Sequence, residues 1–87
     1  GPDVRSDEAL LEDARKRAGT VFHPVSTCRM GPNLETDVVD ASLKVYGTEA
    51  LRVVDASIFP TLTSGNTNAP TIMVAEKAAE LVLAEHR

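Results

Sequence analysis

The sequence predicts an α+β chain of two main helices and a few short strands. Helix-period apolar stripes lie near both ends, short β-prone runs lie between them, and 87 residues allow at most one small domain.

Ser6 stands as an N-cap before Asp7 and Glu8, and Leu10, Leu11, Ala14 and Ala18 recur at helical spacing. Arg15-Lys16-Arg17 then complements the negative end of the helix dipole, and Gly19 stands where a left-handed C′ residue is expected. This predicts an amphipathic helix over 7–18. Thr20-Val21-Phe22 is a short β-prone triplet that stops at His23-Pro24, and 24–37, with two prolines, reads as an ordered loop. Val38-Val39-Asp40-Ala41-Ser42-Leu43 returns as Val53-Val54-Asp55-Ala56-Ser57-Ile58. Between the copies, Leu43–Tyr46 and Leu51–Val54 flank Gly47, predicting two short extended segments around a turn, with 51–54 the more buried. A polar loop over 60–69 leads to Pro70, which opens a helix to about residue 85. Ile72, Ala75, Ala79 and Val82 form its stripe, widened by Met73, Val74, Ala78, Leu81 and Leu83. A helix this apolar needs cover on several sides, and 87 residues with no tryptophan offer little. The chain therefore reads as a piece that packs against something larger or against itself.

The charge excludes some functions. At net −4 with no basic stripe, nucleic acid is not expected as a partner. No apolar run is long enough to span a bilayer and no signal peptide is visible. Cys28 is the sole cysteine, so no internal disulfide or metal-ligand cluster forms, and a reducing, cytoplasmic compartment is the simpler reading. Gly1-Pro2 is either native or a tag remnant.

Three places can carry chemistry. His23 is the first: a histidine can take a proton from an alcohol, although a lone histidine can also be structural. His86 reads as a solvated helix end. Ser64-Gly65-Asn66-Thr67-Asn68 precedes a helix N-terminus, where free amides attract negative charge and an asparagine can donate to an oxyanion; the plain alternative is a polar loop with a helix cap. Asp55 either accepts hydrogen bonds from a ligand at a strand end or forms a turn with Ser57, and Asp40 is its control.

His23-Pro24-Val25-Ser26-Thr27-Cys28-Arg29-Met30-Gly31 resembles the His-Pro-x-Gly-Thr-Cys-Arg-Met-Gly element of the glucose–methanol–choline (GMC) family of FAD-dependent oxidoreductases. Val38-Val39-Asp40 and Leu51–Pro60 resemble its next block, and Ser64–Thr71 with Ala75-Glu76-Lys77-Ala78-Ala79 its final loop and helix. Ser26 departs from the pattern by replacing a glycine, and no GxGxxG occurs. The resemblance implies a fragment of a larger FAD-binding, Rossmann-like architecture with an antiparallel-sheet substrate domain. Residues 6–37 would border the substrate domain, and 38–87 would complete the FAD domain. The implied reaction is choline-like alcohol oxidation by hydride transfer to flavin. In it His23 and Asn66 are catalytic, Asp55, Ala56, Asn66, Thr67 and Asn68 meet FAD, no metal takes part, and Cys28 packs. The missing N-terminal FAD-binding portion and a small alcohol are the implied partners, and the isolated chain would be inactive and free of FAD. The competing readings are a hydroxynitrile lyase on the same scaffold and a non-catalytic interaction module.

Overall fold

A computed structural model describes residues 3–86; Gly1-Pro2 lies outside the described residues. The two expected helices are present as α1 (Asp7–Arg17) and α2 (Asn68–Glu85), with a single turn of 3-10 helix, Ala56–Ile58, between them.

In α1, Ser6 Oγ accepts from the Ala9 amide at 3.1 Å. Lys16 and Arg17 reach back one turn to Glu12 and Asp13 at 3.5 and 3.6 Å. Such exposed i,i+4 pairs contribute only a few tenths of a kcal/mol each. Gly19 does not act as a left-handed cap: Ala18 ends the helix in an extended conformation, and its amide bonds Ala14 O at 2.8 Å. None of the residues of α1 is buried, and Leu10 and Leu11 are about half exposed (49% and 52%).

The expected strands do not form. Among the described residues, extended pairing is limited to three isolated bridges, Met30 to Val39, Val39 to Val45 and Lys44 to Arg52. The reason is local: each β-prone run meets a turn before a second consecutive pair can close. Phe22 is left-handed (φ 61°) and 81% exposed, so the 20–22 triplet breaks instead of extending. Leu51–Val54 is not the buried segment either, because Leu51 and Val54 face outward. Burial falls on Val39, Leu43, Ile58, Phe59, Val74 and Ala78, with Val25, Met30, Val38, Val45, Val53 and Ala56 packed around them.

The internal echo explains part of that core. Asp40 Oδ1 accepts from the Ser42 amide and Asp55 Oδ1 from the Ser57 amide, both at 2.8 Å. In each copy the residue three beyond the aspartate bonds back to its carbonyl, Leu43 at 2.9 Å and Ile58 at 3.3 Å. The repeated Val-Val-Asp-Ala-Ser is thus one Asp-closed turn used twice, each time driving an aliphatic side chain inward. Gly31 matters for a different reason. A Cβ there would lie 2.2 Å from Asp37 Oδ2, and that carboxylate is already committed to Arg29 Nε (2.8 Å) and the Asn33 amide (2.9 Å). Those bonds hold the Asp37 carboxyl below its usual value, the Asn33 amide contributing most.

Helix α2 buries only Val74 and Ala78; Ile72, Met73 and Leu83 stay more than half exposed. An apolar groove of ≈ 190 Å³ along its flank is lined by Met30, Leu43, Ile58, Met73, Val74 and Leu81. Among the described residues no pair of helices makes more than slight contact, and the molecule measures 63 × 28 × 16 Å. Its radius of gyration is 18.6 Å, against about 12 Å for a self-contained domain of this length. Among the described residues, no helix is long and apolar enough to cross a membrane.

The far end of α2 is tied down by charge. Glu85 bridges Lys44 Nζ at 2.7 Å and Arg52 Nη1 at 2.9 Å. The Lys44 hydrogen bond, ahead of the opposing effect of desolvation, lowers the Glu85 carboxyl below its ordinary value. A lowered folded-state value means this tie is complete above the unfolded value and is lost as pH falls through the folded one. Acidification should therefore lower the protection of amides at the C-terminal turn of α2, measured relative to their intrinsic exchange rates at each pH. Glu85→Gln should remove that acid-dependent step, and exchange measured by NMR across a pH series checks it.

Candidate functional site

His23 sits in a loop that the chain anchors from both sides. Upstream, the Phe22 amide bonds Thr20 Oγ1 at 3.0 Å, and the left-handed turn at Phe22 re-aims the backbone into His23. Downstream, Ser26, Cys28 and Met30 donate their amides to the carbonyls of Ala56, Ser57 and Ile58 at 3.4, 2.8 and 2.9 Å. These bonds lay the histidine loop along the Asp55 turn.

Ser26 is itself left-handed, with φ 74°. That is the conformation glycine adopts without a steric cost, which explains glycine in the GMC pattern at this place. Relieving the Cβ strain is worth about 1–2 kcal/mol, partly offset by about 0.4–1 kcal/mol of added unfolded-chain entropy. Ser26→Gly should thus raise stability by up to about 1.5 kcal/mol, seen as a higher thermal midpoint of the full-length protein.

The half-buried His23 ring meets the start of α2 across 44 residues of chain. Nδ1 lies 2.6 Å from Thr67 Oγ1 and 3.4 Å from the Thr67 amide. Thr67 is the N-cap residue of α2, yet its side chain makes no capping bond. The third helical residue is Pro70, which has no N–H, so one usual partner of a cap hydroxyl is missing. The hydroxyl goes to the imidazole instead, and the amides of Asn68 and Ala69 remain without a side-chain cap. An uncapped helix start of this kind suits a partly negative ligand edge.

Asn66 is exposed immediately beside Thr67. No hydrogen bond joins Asn66 to His23 or to another described residue. Asn68 begins the helix and is exposed. Asp55 takes the turn-forming role: Oδ1 accepts from both the amide and the hydroxyl of Ser57. The side chain is exposed, and its second oxygen, Oδ2, has no hydrogen-bond partner among the described residues. Ala56 is joined to the histidine loop through its carbonyl. His86 ends α2, exposed, with its amide on Val82 O at 3.2 Å. Cys28 is partly buried, its backbone committed to Ser57. Among the described residues, no group of His, Cys, Asp and Glu could hold a metal ion.

Sequence reasoning placed Thr67 beside a cofactor and missed its contact with His23. The available signal was Pro70, which takes a capping donor away from the threonine three residues before it.

The chain is 57% identical over 83 residues to "Alcohol dehydrogenase [acceptor]" of Pseudomonas putida, covering 95% of this chain and 15% of that one. It is 52% identical over 82 residues to "Oxygen-dependent choline dehydrogenase" of Chromohalobacter salexigens, covering 94% and 14%. A solved FAD-dependent oxidoreductase from Chaetomium thermophilum superposes with TM-score 0.88 at 33% identity, over 100% of this chain and 15% of that one. The chain thus spans about 15% of the length of the curated relatives it matches. The family description "GMC oxidoreductase" matches residues 1–75. On that match, and on relatedness to alcohol and choline dehydrogenases along nearly the whole chain, it belongs to the GMC oxidoreductase family as its C-terminal domain.

Proposed function

We propose that this chain is the histidine-bearing part of an FAD-dependent enzyme that oxidises a small alcohol, choline-like in its chemistry, and that it is inactive alone. The observation that carries the reading is the 2.6 Å contact between His23 and Thr67. It brings the histidine loop to the start of α2, next to Asn66 and the uncapped amides of Asn68 and Ala69.

The residues present fit the cofactor. Asp55, through Oδ2, and Ala56 are available for its ribityl–pyrophosphate part, and Asn66, Thr67 and Asn68 for its ring edge. When bound, FAD supplies the hydride acceptor. Everything else falls to side chains of this chain. His23 receives the hydroxyl proton of the alcohol at a ring nitrogen. Asn66 donates an N–H to the carbinol oxygen and steadies the charge growing there; an amide cannot serve as a base at neutral pH. Holding both groups on one carbinol is the orienting role that short, well-anchored loops perform. Residues 6–37 would border the substrate domain and 38–87 complete the FAD domain, the missing N-terminal portion of the enzyme providing the rest. The exposed apolar face of α2 and the elongated outline support such a larger body.

Anaerobic mixing of the full-length protein with choline and simple primary alcohols tests the proposal. Flavin absorbance should bleach, more slowly for alcohol deuterated at the carbinol carbon. Cleavage of a cyanohydrin without bleaching would assign the scaffold to a lyase instead. The absence of either reaction would leave an interaction module.

A further inference from the structure

We infer that Ser26 is a cofactor-binding residue, its hydroxyl donating a hydrogen bond to the ribityl chain of FAD beside the Asp55 turn. The inference rests on the FAD-dependent reading proposed above. It adds a residue at which this chain departs from the glycine of the GMC pattern.

The backbone at Ser26 is the first observation. Among the described residues, Phe22, Ser26 and Leu43 are left-handed without being glycine, a conformation that crowds Cβ. Leu43 places its side chain in the core, and Phe22 adjoins His23. The Ser26 side chain is only half-buried, and its Oγ bonds nothing among the described residues. Glycine would keep the Ser26 amide contact to Ala56 O and shed the crowding, so the serine adds its hydroxyl alone. Backbone crowding of this kind persists where a site makes use of it.

The place of that hydroxyl is the second observation. Among the described residues no buried side-chain nitrogen or oxygen lacks a partner, so the unbonded Oγ reaches the surface. The Ser26 amide on Ala56 O at 3.4 Å and the Cys28 amide on Ser57 O at 2.8 Å lay it along the turn. There the exposed Asp55 keeps Oδ2 without a hydrogen-bond partner among the described residues.

The chemistry of this pair selects one part of the cofactor. A carboxylate only accepts hydrogen bonds, whereas a hydroxyl donates or accepts. A phosphate oxygen also only accepts, and its charge repels that of Asp55. A polyol satisfies both residues: one of its hydroxyls donates to Oδ2 and another accepts from Ser26. Of the parts of FAD assigned to this turn, the ribityl chain is the polyol.

The experiment uses the full-length protein purified with its flavin, as wild type, Ser26→Ala and Ser26→Gly. Alanine keeps the crowded Cβ and removes the hydroxyl; glycine removes both. FAD affinity is read from the flavin fluorescence released on dilution, and the thermal midpoint is measured with FAD bound and after its removal. Ser26→Ala should weaken FAD binding about 3- to 10-fold, the loss of one neutral hydrogen bond, and should lower only the FAD-bound midpoint. Ser26→Gly should weaken binding as much, and its gain in midpoint should be largest without FAD and shrink when FAD is bound. A loss in Ser26→Ala of less than about threefold overturns the inference. Where release is too slow to follow, an FAD-bound midpoint unchanged by alanine does so. A loss well above about tenfold, the size of a charge-assisted bond, moves the partner to the pyrophosphate and overturns the ribityl assignment. A full-length protein that carries no flavin fails the FAD reading itself, whereas one that holds FAD equally well in all three forms fails only at Ser26.

Discussion

Replacing His23 by alanine in the full-length protein should slow reduction of the flavin by an alcohol about 10²- to 10⁴-fold, the range a general base contributes. The expectation follows from placement as much as residue type. The ring is half-buried, is held at Nδ1 by Thr67, and belongs to a loop fastened to the Asp55 turn by three backbone bonds. A histidine kept only to fill space would not need one nitrogen anchored while the other has no partner among the described residues. Alanine leaves the hydride acceptor in place but gives the hydroxyl proton no destination except water. Rapid mixing without oxygen measures the step directly. A rate within tenfold of wild type would remove His23 from the chemistry. The defect should lie in the rate at saturating alcohol, because the lost interaction forms only as the proton moves.

The next largest effect is expected at Asn66. Removing a hydrogen-bond donor aimed at a developing oxyanion typically costs about 10²- to 10³-fold in turnover, and Asn66→Ala should fall there. Asn66 is exposed, makes no hydrogen bond to another described residue, and neighbours the residue that touches His23. Its loss should therefore leave the thermal midpoint nearly unchanged while the flavin-reduction rate drops. Asn66→Asp sharpens the measurement: a carboxylate of similar shape accepts where the amide donates, and would oppose negative charge on the carbinol oxygen. Under the proposal that both residues act on one carbinol, the double variant with His23→Ala should be slower than either single variant by much less than the product of their effects. Full turnover in Asn66→Ala would exclude it from contact with the alcohol.

Much of the fold could be read from residue patterns, because local rules set it. Ser6, the acidic first turn and the basic last turn place α1, and Pro70 with a long apolar stripe places α2. The strands could not be read correctly. Alternation of Val and Leu reports a preference for extended backbone, whereas a strand needs a partner over several consecutive residues. Here Asp40, Leu43, Gly47 and Asp55 each bend the chain first. The same limit applies to Leu51, apolar yet 54% exposed. Its cover cannot be inferred from 87 residues when the relatives are about seven times longer. In the site, His23 and Asn66 were legible as chemistry-bearing types. The Thr67 contact was not, since it spans 44 residues and depends on a hydroxyl choosing a ring over its own helix. Ser26 was legible only as a departure from glycine; its positive φ gives that departure a steric meaning.

One residue both starts α2 and steadies the imidazole. That makes the helix a lever with the imidazole at its tip. A molecule leaning on the first turn, or a mutation loosening the Glu85 clasp at the opposite end, would be felt at the ring without ever coming near it. Distant changes along this one rod are where altered rates should be sought when the pocket itself is untouched.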